Sequence, residues 1–284
     1  MYILNKLQPV YVDDLIRIGR NADGGYVLSE QQIEKTEFLL SFGISNEWSF
    51  ERDFCKRRRH SLSVYAFDYS AAPLQLVGRA LKHLKAFILH SLKCRISRSM
   101  SSLKGMLSCL YASISLKRYF RKSKNRFFIP KFLGSTDDNF FCSFDTIFNK
   151  LLIRNNLKDS SVFIKMDIEK WEYSTLPQLT PFFDKVNGMA VEFHDLGVEW
   201  KNFEAIIDCF SKHFDIIHIH VNNGGKLIPG TTLPALLEIT FANKNLSLNK
   251  REIGERRTKF PIEGVDFPNI ASLPDIPLSF DTQS

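Results

Sequence analysis

The chain has 284 residues, 44% hydrophobic and 24% charged, with 14 glycines and 11 prolines. Those values exclude disordered, collagen-like and low-complexity classes and allow a sizeable core. The net charge of +7 points at first to nucleic acid or an anionic membrane, but it is unevenly spread along the chain.

The N-terminus carries Asp13 and Asp14 and no apolar run suited to a signal peptide, and no stretch of about 18 apolar residues exists. Five cysteines, at 55, 94, 109, 142 and 209, form no CxxC pair, so no disulfide framework or zinc ribbon is expected. A soluble, cytoplasmic protein is the expectation. Asp23-Gly24-Gly25-Tyr26 is a hairpin-turn signal.

Short apolar runs follow at Glu37–Phe42 and Leu62–Phe67, ending at Gly43 and Asp68. A helical pattern over Trp48–Arg58 separates them. Next comes the source of the charge. No Asp or Glu occurs from Ala71 to Thr136, while Arg79 to Lys131 holds fourteen Lys and Arg. The rest of the chain therefore sums to −7, so a mildly acidic body carries a basic insert over residues 71–126. Val77, Leu81, Leu84, Ile88 and Leu92 repeat at helical spacing, as do Leu103, Leu107, Leu110 and Ile114, before a basic stretch at 117–126. Two amphipathic helices are predicted, their apolar faces packed on each other or on the sheet and their basic side solvated.

Phe127–Leu133 reads as a weaker strand with Pro130 near its end. Strands are then expected at Val162–Met166, Gly188–Phe193, Phe214–Val221 and Ala235–Ala242. Helices are expected at Phe144–Asn155, Glu172–Phe183 and Trp200–His213. This alternation predicts an α/β fold in one domain over residues 1–284: a seven-stranded, mainly parallel sheet with helices on both faces. The last two strands lack a helix between them and suit a terminal antiparallel hairpin at one edge. Residues 264–284, with Pro268, Pro274 and Pro277, read as an extended tail.

In such sheets ligands bind outside the carboxyl ends of the strands. Gly43 permits a tight turn there. Asp68, at the end of the next strand, suits the paired hydroxyls of a ribose. Neither GxGxxG nor GxxxxGK[ST] is present, so the expected ligand is a nucleoside without phosphates, of which S-adenosylmethionine is the commonest cofactor. Asp167, Glu169 and His194 follow the fourth and fifth strands and are predicted to line the same mouth, with His194 or Asp167 as general base. Asp167 alternatively fixes the cofactor or acceptor, or binds a metal. His218 and His220, two apart on a strand, share a face, where packing is the commoner outcome and a metal pair the rarer one. Nothing supports a hydrolase: GxSxG is absent.

The segment V-F-I-K-M-D-I-E-K-W-E-Y-S-T-L (162–176) resembles the K-x-D-x-E-G-x-E-x-x-x-L signature of the FkbM-type methyltransferases that use S-adenosylmethionine. S-F-D-T-I-F (143–148), V-E-F-H (191–194), R-I-G-R-N-A-D-G-G-Y-V-L (17–28), L-L-S-F-G-I-S-N-E-W-S-F-E (39–51), H-I-H-V-N-N-G-G (218–225) and L-L-E-I-T-F (236–241) resemble further pieces of that family or a subgroup of it. The resemblance spans roughly residues 15–243. It implies a Rossmann-like fold of the class I methyltransferase superfamily. It also implies cofactor contacts at Gly43, Ser45, Asn46, Glu47, Asp68 and Asp167, and acceptor contacts at Asp23, Tyr26, His220 and Asn222. The implied acceptor is a hydroxyl of a sugar or glycan in polysaccharide biosynthesis, lipid-linked acceptors included.

Two positions depart from the broader family. Lys170 stands where a Gly is usual, which costs strain if φ is positive there. Ser41 and Glu47 replace the outer residues of D-x-G-x-x-x-G, placing Glu47 within reach of the cofactor's methionine ammonium. The basic insert supports two alternatives: an RNA methyltransferase, although few aromatics interleave its cations, or a non-catalytic module docking on anionic membrane. Peripheral contact with the inner face of a membrane through 79–126 is also compatible with the leading reading.

Overall fold

The computed structural model describes residues 6–58, 60–155, 157–228, 234–246, 248 and 256–280. The last four residues of the predicted tail lie outside that set. An N-terminal hairpin pairs β1 (Leu15–Ile18) with β2 (Tyr26–Ser29) around the predicted Asp23–Tyr26 turn, and α1 (Glu30–Lys35) follows. Ser29 caps α1 in a reciprocal box with Gln32, a short helix that the apolar spacing did not announce.

The central sheet runs β5 (Arg126–Ile129), β4 (Ser63–Phe67), β3 (Phe38–Phe42), β8 (Val162–Met166), β9 (Val186–Phe193), β11 (Leu237–Asn243), β10 (Phe214–Val221). Its first five strands are parallel. β11 is antiparallel to both neighbours, so the terminal hairpin folds with its second strand inside the sheet and β10 at the edge. β3 and β8 are buried at every position, as strands covered on both faces must be. Alternate residues divide between two cores: Leu40, Phe42, Ile164 and Met166 on one face, Leu39 and Phe163 on the other. The first face is covered by α5 (Phe144–Asn155), α6 (Glu172–Thr175) with the 3₁₀ turn Leu176–Phe182, and α7 (Leu196–Phe210). The second is covered by α2 (Ser49–Arg57) and the N-terminal hairpin.

Two expectations change. Phe127–Leu133 is not one strand: β5 stops at Ile129, and past Pro130 the chain leaves the sheet to form β6 (Phe132–Leu133), which pairs with β7 (Phe141–Cys142). The insert does form two helices, α3 (Pro73–Leu92) and α4 (Ile96–Arg121), packed on each other. Their predicted apolar faces, however, point to solvent. Val77, Leu81, Leu84, Ile88, Leu92, Leu107, Leu110 and Ile114 are all exposed, and the inward positions are Leu76, Ala80, Cys109, Ala112 and Leu116. Leu103 of the predicted stripe is half-buried, and the buried set is offset from that stripe on the same helices.

Candidate functional site

A crevice opens where the chain, having run from β3 outward to β5, returns on the other side of β3 as β8. It holds a cavity of about 470 Å³ lined by Gly43, Ser45, Phe67, Asp68 and Ser70, by Asp167, Ile168, Glu169 and Trp171 after β8, and by Phe132, Leu133 and Phe141. The lining therefore combines three carboxylates with aromatic and aliphatic walls and contains no Lys, Arg or His.

Gly43 has φ +75°, and a Cβ on it would stand 1.6 Å from the carbonyl oxygen of Asp167. Only glycine lets the loops after β3 and β8 approach this closely. Lys165 fastens them. It is 4% exposed, its Nζ donates to the Gly43 carbonyl at 2.8 Å, and it lies 3.6 Å from Asp167 Oδ2. A lone lysine inside an apolar strand was the available signal, because buried lysines are almost always paired. The buried Asp68 carboxylate accepts three backbone N–H bonds, from Ser45 (2.7 Å) on Oδ2 and from Ser70 (2.7 Å) and Ala71 (3.2 Å) on Oδ1. A carboxylate has about four acceptor sites, so one stays free on the cavity wall.

His194, at the end of β9, is 7% exposed. Its Nδ1 lies 2.9 Å from Oε1 of the fully buried Glu172, a pure acceptor, so Nδ1 carries a proton. Its Nε2 is 3.8 Å from Asp167 Oδ1 and 3.7 Å from Glu169 Oε2. Burial lowers the imidazole pKa, but the Glu172 hydrogen bond and the Glu172, Glu192 and Asp167 charges outweigh it and raise the pKa to about 9. Glu172 was not singled out by sequence. Its Oε1 also accepts from Ile168 N and Lys170 N, so one carboxylate holds both the histidine and the loop after β8. Within that loop Glu169 and Lys170 have φ +55° and +83°, the left-handed conformation suspected at Lys170. Lys170 also pairs with Asp195.

The structure thus brings Gly43, Ser45, Asp68, Asp167, Glu169 and His194 together. Asn46 and Glu47 lie instead on a neighbouring groove towards the insert. Glu47 accepts from Ser49 N at 2.6 Å at the start of α2 and pairs with Arg20. Tyr26, His220 and Asn222 are buried behind the mouth. Asn222 donates to Glu192 Oε1 at 2.6 Å, and His220 bridges Glu238 (3.2 Å) and Asp275 (3.0 Å). Burial lowers the His220 pKa, but these two carboxylates raise it to about 10. His218 lies 3.1 Å from the Asp266 carboxylate, so each histidine of the strand pair has its own acid. Asp23 has a raised carboxyl pKa, through burial first and then the Asp167 and Glu238 charges. Asp167, Glu192 and His194 offer ligand atoms within 4.8 Å of one another and form the grouping, among the described residues, able to hold a divalent cation. That role needs an unprotonated Nε2.

No protein-family model matches the chain, and no curated protein matches it. Among solved structures, the precorrin-6y C5,15-methyltransferase of Geobacter metallireducens GS-15 is similar at 8% sequence identity, with a TM-score of 0.31. The match covers 75% of this chain and 86% of that one, a likeness too distant to carry an inference.

Proposed function

We propose that the protein is an S-adenosylmethionine-dependent methyltransferase acting on a hydroxyl group. The observation that carries this reading is the cavity at the switch point, lined by three carboxylates and aromatic walls without one cation. Phosphate-bearing nucleotides are met by positive charge as well as donors, and this lining carries no cationic side chain. A nucleoside bearing a sulfonium and an ammonium fits both its charge and its size. Asp68 would accept one ribose hydroxyl at its free acceptor site, Phe132, Phe141 and Trp171 supply faces for a purine, and Asp167 and Glu169 face the cationic end. When bound, the cofactor supplies an already activated methyl group, which leaves the protein mainly a positioning task.

At the acceptor, Nε2 of His194 takes the hydroxyl proton, held in the correct tautomer by Glu172. An imidazole with a pKa of about 9 is a stronger base than an ordinary histidine but is mostly protonated at neutral pH. An alkaline optimum follows. A sugar or glycan as acceptor, in polysaccharide biosynthesis, is supported by the motif resemblance. Binding of S-adenosylmethionine and its demethylated product by isothermal titration tests the reading. Binding to wild type and its loss in a folded Asp68→Ala variant are expected. No binding to folded wild type would overturn it.

A further inference from the structure

The α3–α4 hairpin has no counterpart in the chemistry above. Its helices of 20 and 26 residues extend roughly 30 and 39 Å at 1.5 Å per residue. Leu116 and Phe120 join the core beneath α2, Tyr119 packs against it, and Ser108 to Lys122 share a groove with the start of α2, so the hairpin is rooted through the C-terminal half of α4. At its far end Leu92 is 78% and Ile96 77% exposed, with Leu89 and Met100 also exposed beside them. Lys93, Arg95 and Arg98 interleave these residues, and all three are exposed. From Arg79 to Lys124 there are twelve Lys and Arg and no acid.

We propose that this hairpin docks the protein on an anionic lipid surface, its tip entering the boundary between headgroups and acyl chains. Exposed apolar side chains flanked by cations are the combination that such an interface selects: the apolar groups leave water while the cations meet lipid phosphates. The other occupants fit less well. A second copy would set two acid-free, cationic hairpins against each other, and like charges at close range oppose association. RNA would satisfy the cations but leave Leu81, Ile88, Leu92 and Ile96 in water. No described helix is long and apolar enough to cross a membrane, so the contact is with one surface only. α3 begins five residues after Asp68, which ties the docked element to the cavity rim.

The full-length protein, mixed with phosphatidylcholine vesicles with or without a one-third share of phosphatidylglycerol, tests this by cosedimentation. Cys94, exposed at the turn, takes a polarity-sensitive fluorophore that reports the tip's surroundings. Expected are roughly tenfold or stronger preference for anionic vesicles, reversal by high salt, and a blue shift of the fluorophore. Leu92→Ser/Ile96→Ser should abolish the blue shift, and Lys93→Glu/Arg95→Glu/Arg98→Glu should remove the anionic preference. Both sets are at exposed positions, so circular dichroism should be unchanged. Absence of binding, equal binding to neutral vesicles, or binding untouched by either set would overturn the proposal. So would a dimer that the Ser variants dissociate, or RNA binding in place of vesicle binding. None of these outcomes depends on cofactor binding, which calorimetry reads separately.

Discussion

Around the cavity, charged side chains are buried and held: Lys165 by Gly43 and Asp167, Asp68 by three backbone amides, His194 by Glu172. In the hairpin that starts at Pro73 the arrangement inverts, with leucines and isoleucines in water and cations solvated around them. The mouth spends packing and hydrogen bonds on fixing a few atoms in place. The hairpin leaves its surface unsatisfied within the chain. The contrast separates residues whose loss should damage the fold or the site from residues whose loss should be felt only when a partner is present.

The sharpest way to break this contrast is Gly43→Ala. Its Cβ cannot coexist with the Asp167 carbonyl, so about 3 kcal/mol of stability and all measurable cofactor binding should be lost, read by thermal melting and calorimetry. Asp68→Ala comes next. Loss of a charge-assisted ribose contact, with three amides left unpaired, predicts roughly 100-fold weaker cofactor binding.

Acidity tests His194. Its folded pKa is raised to about 9, so its contribution to stability is complete below the unfolded value of about 6.5 and is lost as pH rises through about 9. His220, raised to about 10, adds a loss of the same sign at slightly higher pH. Melting temperature should therefore fall between pH 7 and 10. Over the same interval kcat/KM should climb to a plateau above pH about 9 as the base is freed. Glu172→Gln removes the main raising partner and should move that limb towards neutral pH, whereas His194→Gln should abolish it. Smaller still, Lys170→Gly relieves a positive φ for the loss of one exposed ion pair and should raise the melting temperature by roughly 2 °C. Leu92→Ser/Ile96→Ser should leave melting unchanged while the fluorophore's blue shift on anionic vesicles is lost. A drop in melting temperature there would erase the distinction between the two regions.

Much of the fold was legible because strands buried on both faces read as mostly apolar runs. Val162–Met166 and Phe214–Val221 match the structure residue for residue. Periodicity gave the two insert helices but not their orientation. A stripe at 77, 81, 84, 88 and 92 marks a face and is silent on whether protein, solvent or lipid meets it. The mouth was legible where residues end strands, as at Gly43, Asp68, Asp167 and His194. It was not legible at Glu172, which reaches the site through a left-handed loop that no spacing rule describes. Glu47 shows the converse: a carboxylate in a promising motif is occupied by the first amide of the next helix.

The placement of β11 has a consequence for the order of assembly. Among the described strands β10 pairs with β11 alone, and β11 fills the gap beside β9. Until residue 243 is available, β10 cannot join the sheet and β9 keeps an open, largely apolar edge. Five parallel strands can therefore be in place while the growing chain still presents that edge. Completion waits on the pairing of segments near the C-terminus, a late and non-local step during which chaperone capture or aggregation competes with folding.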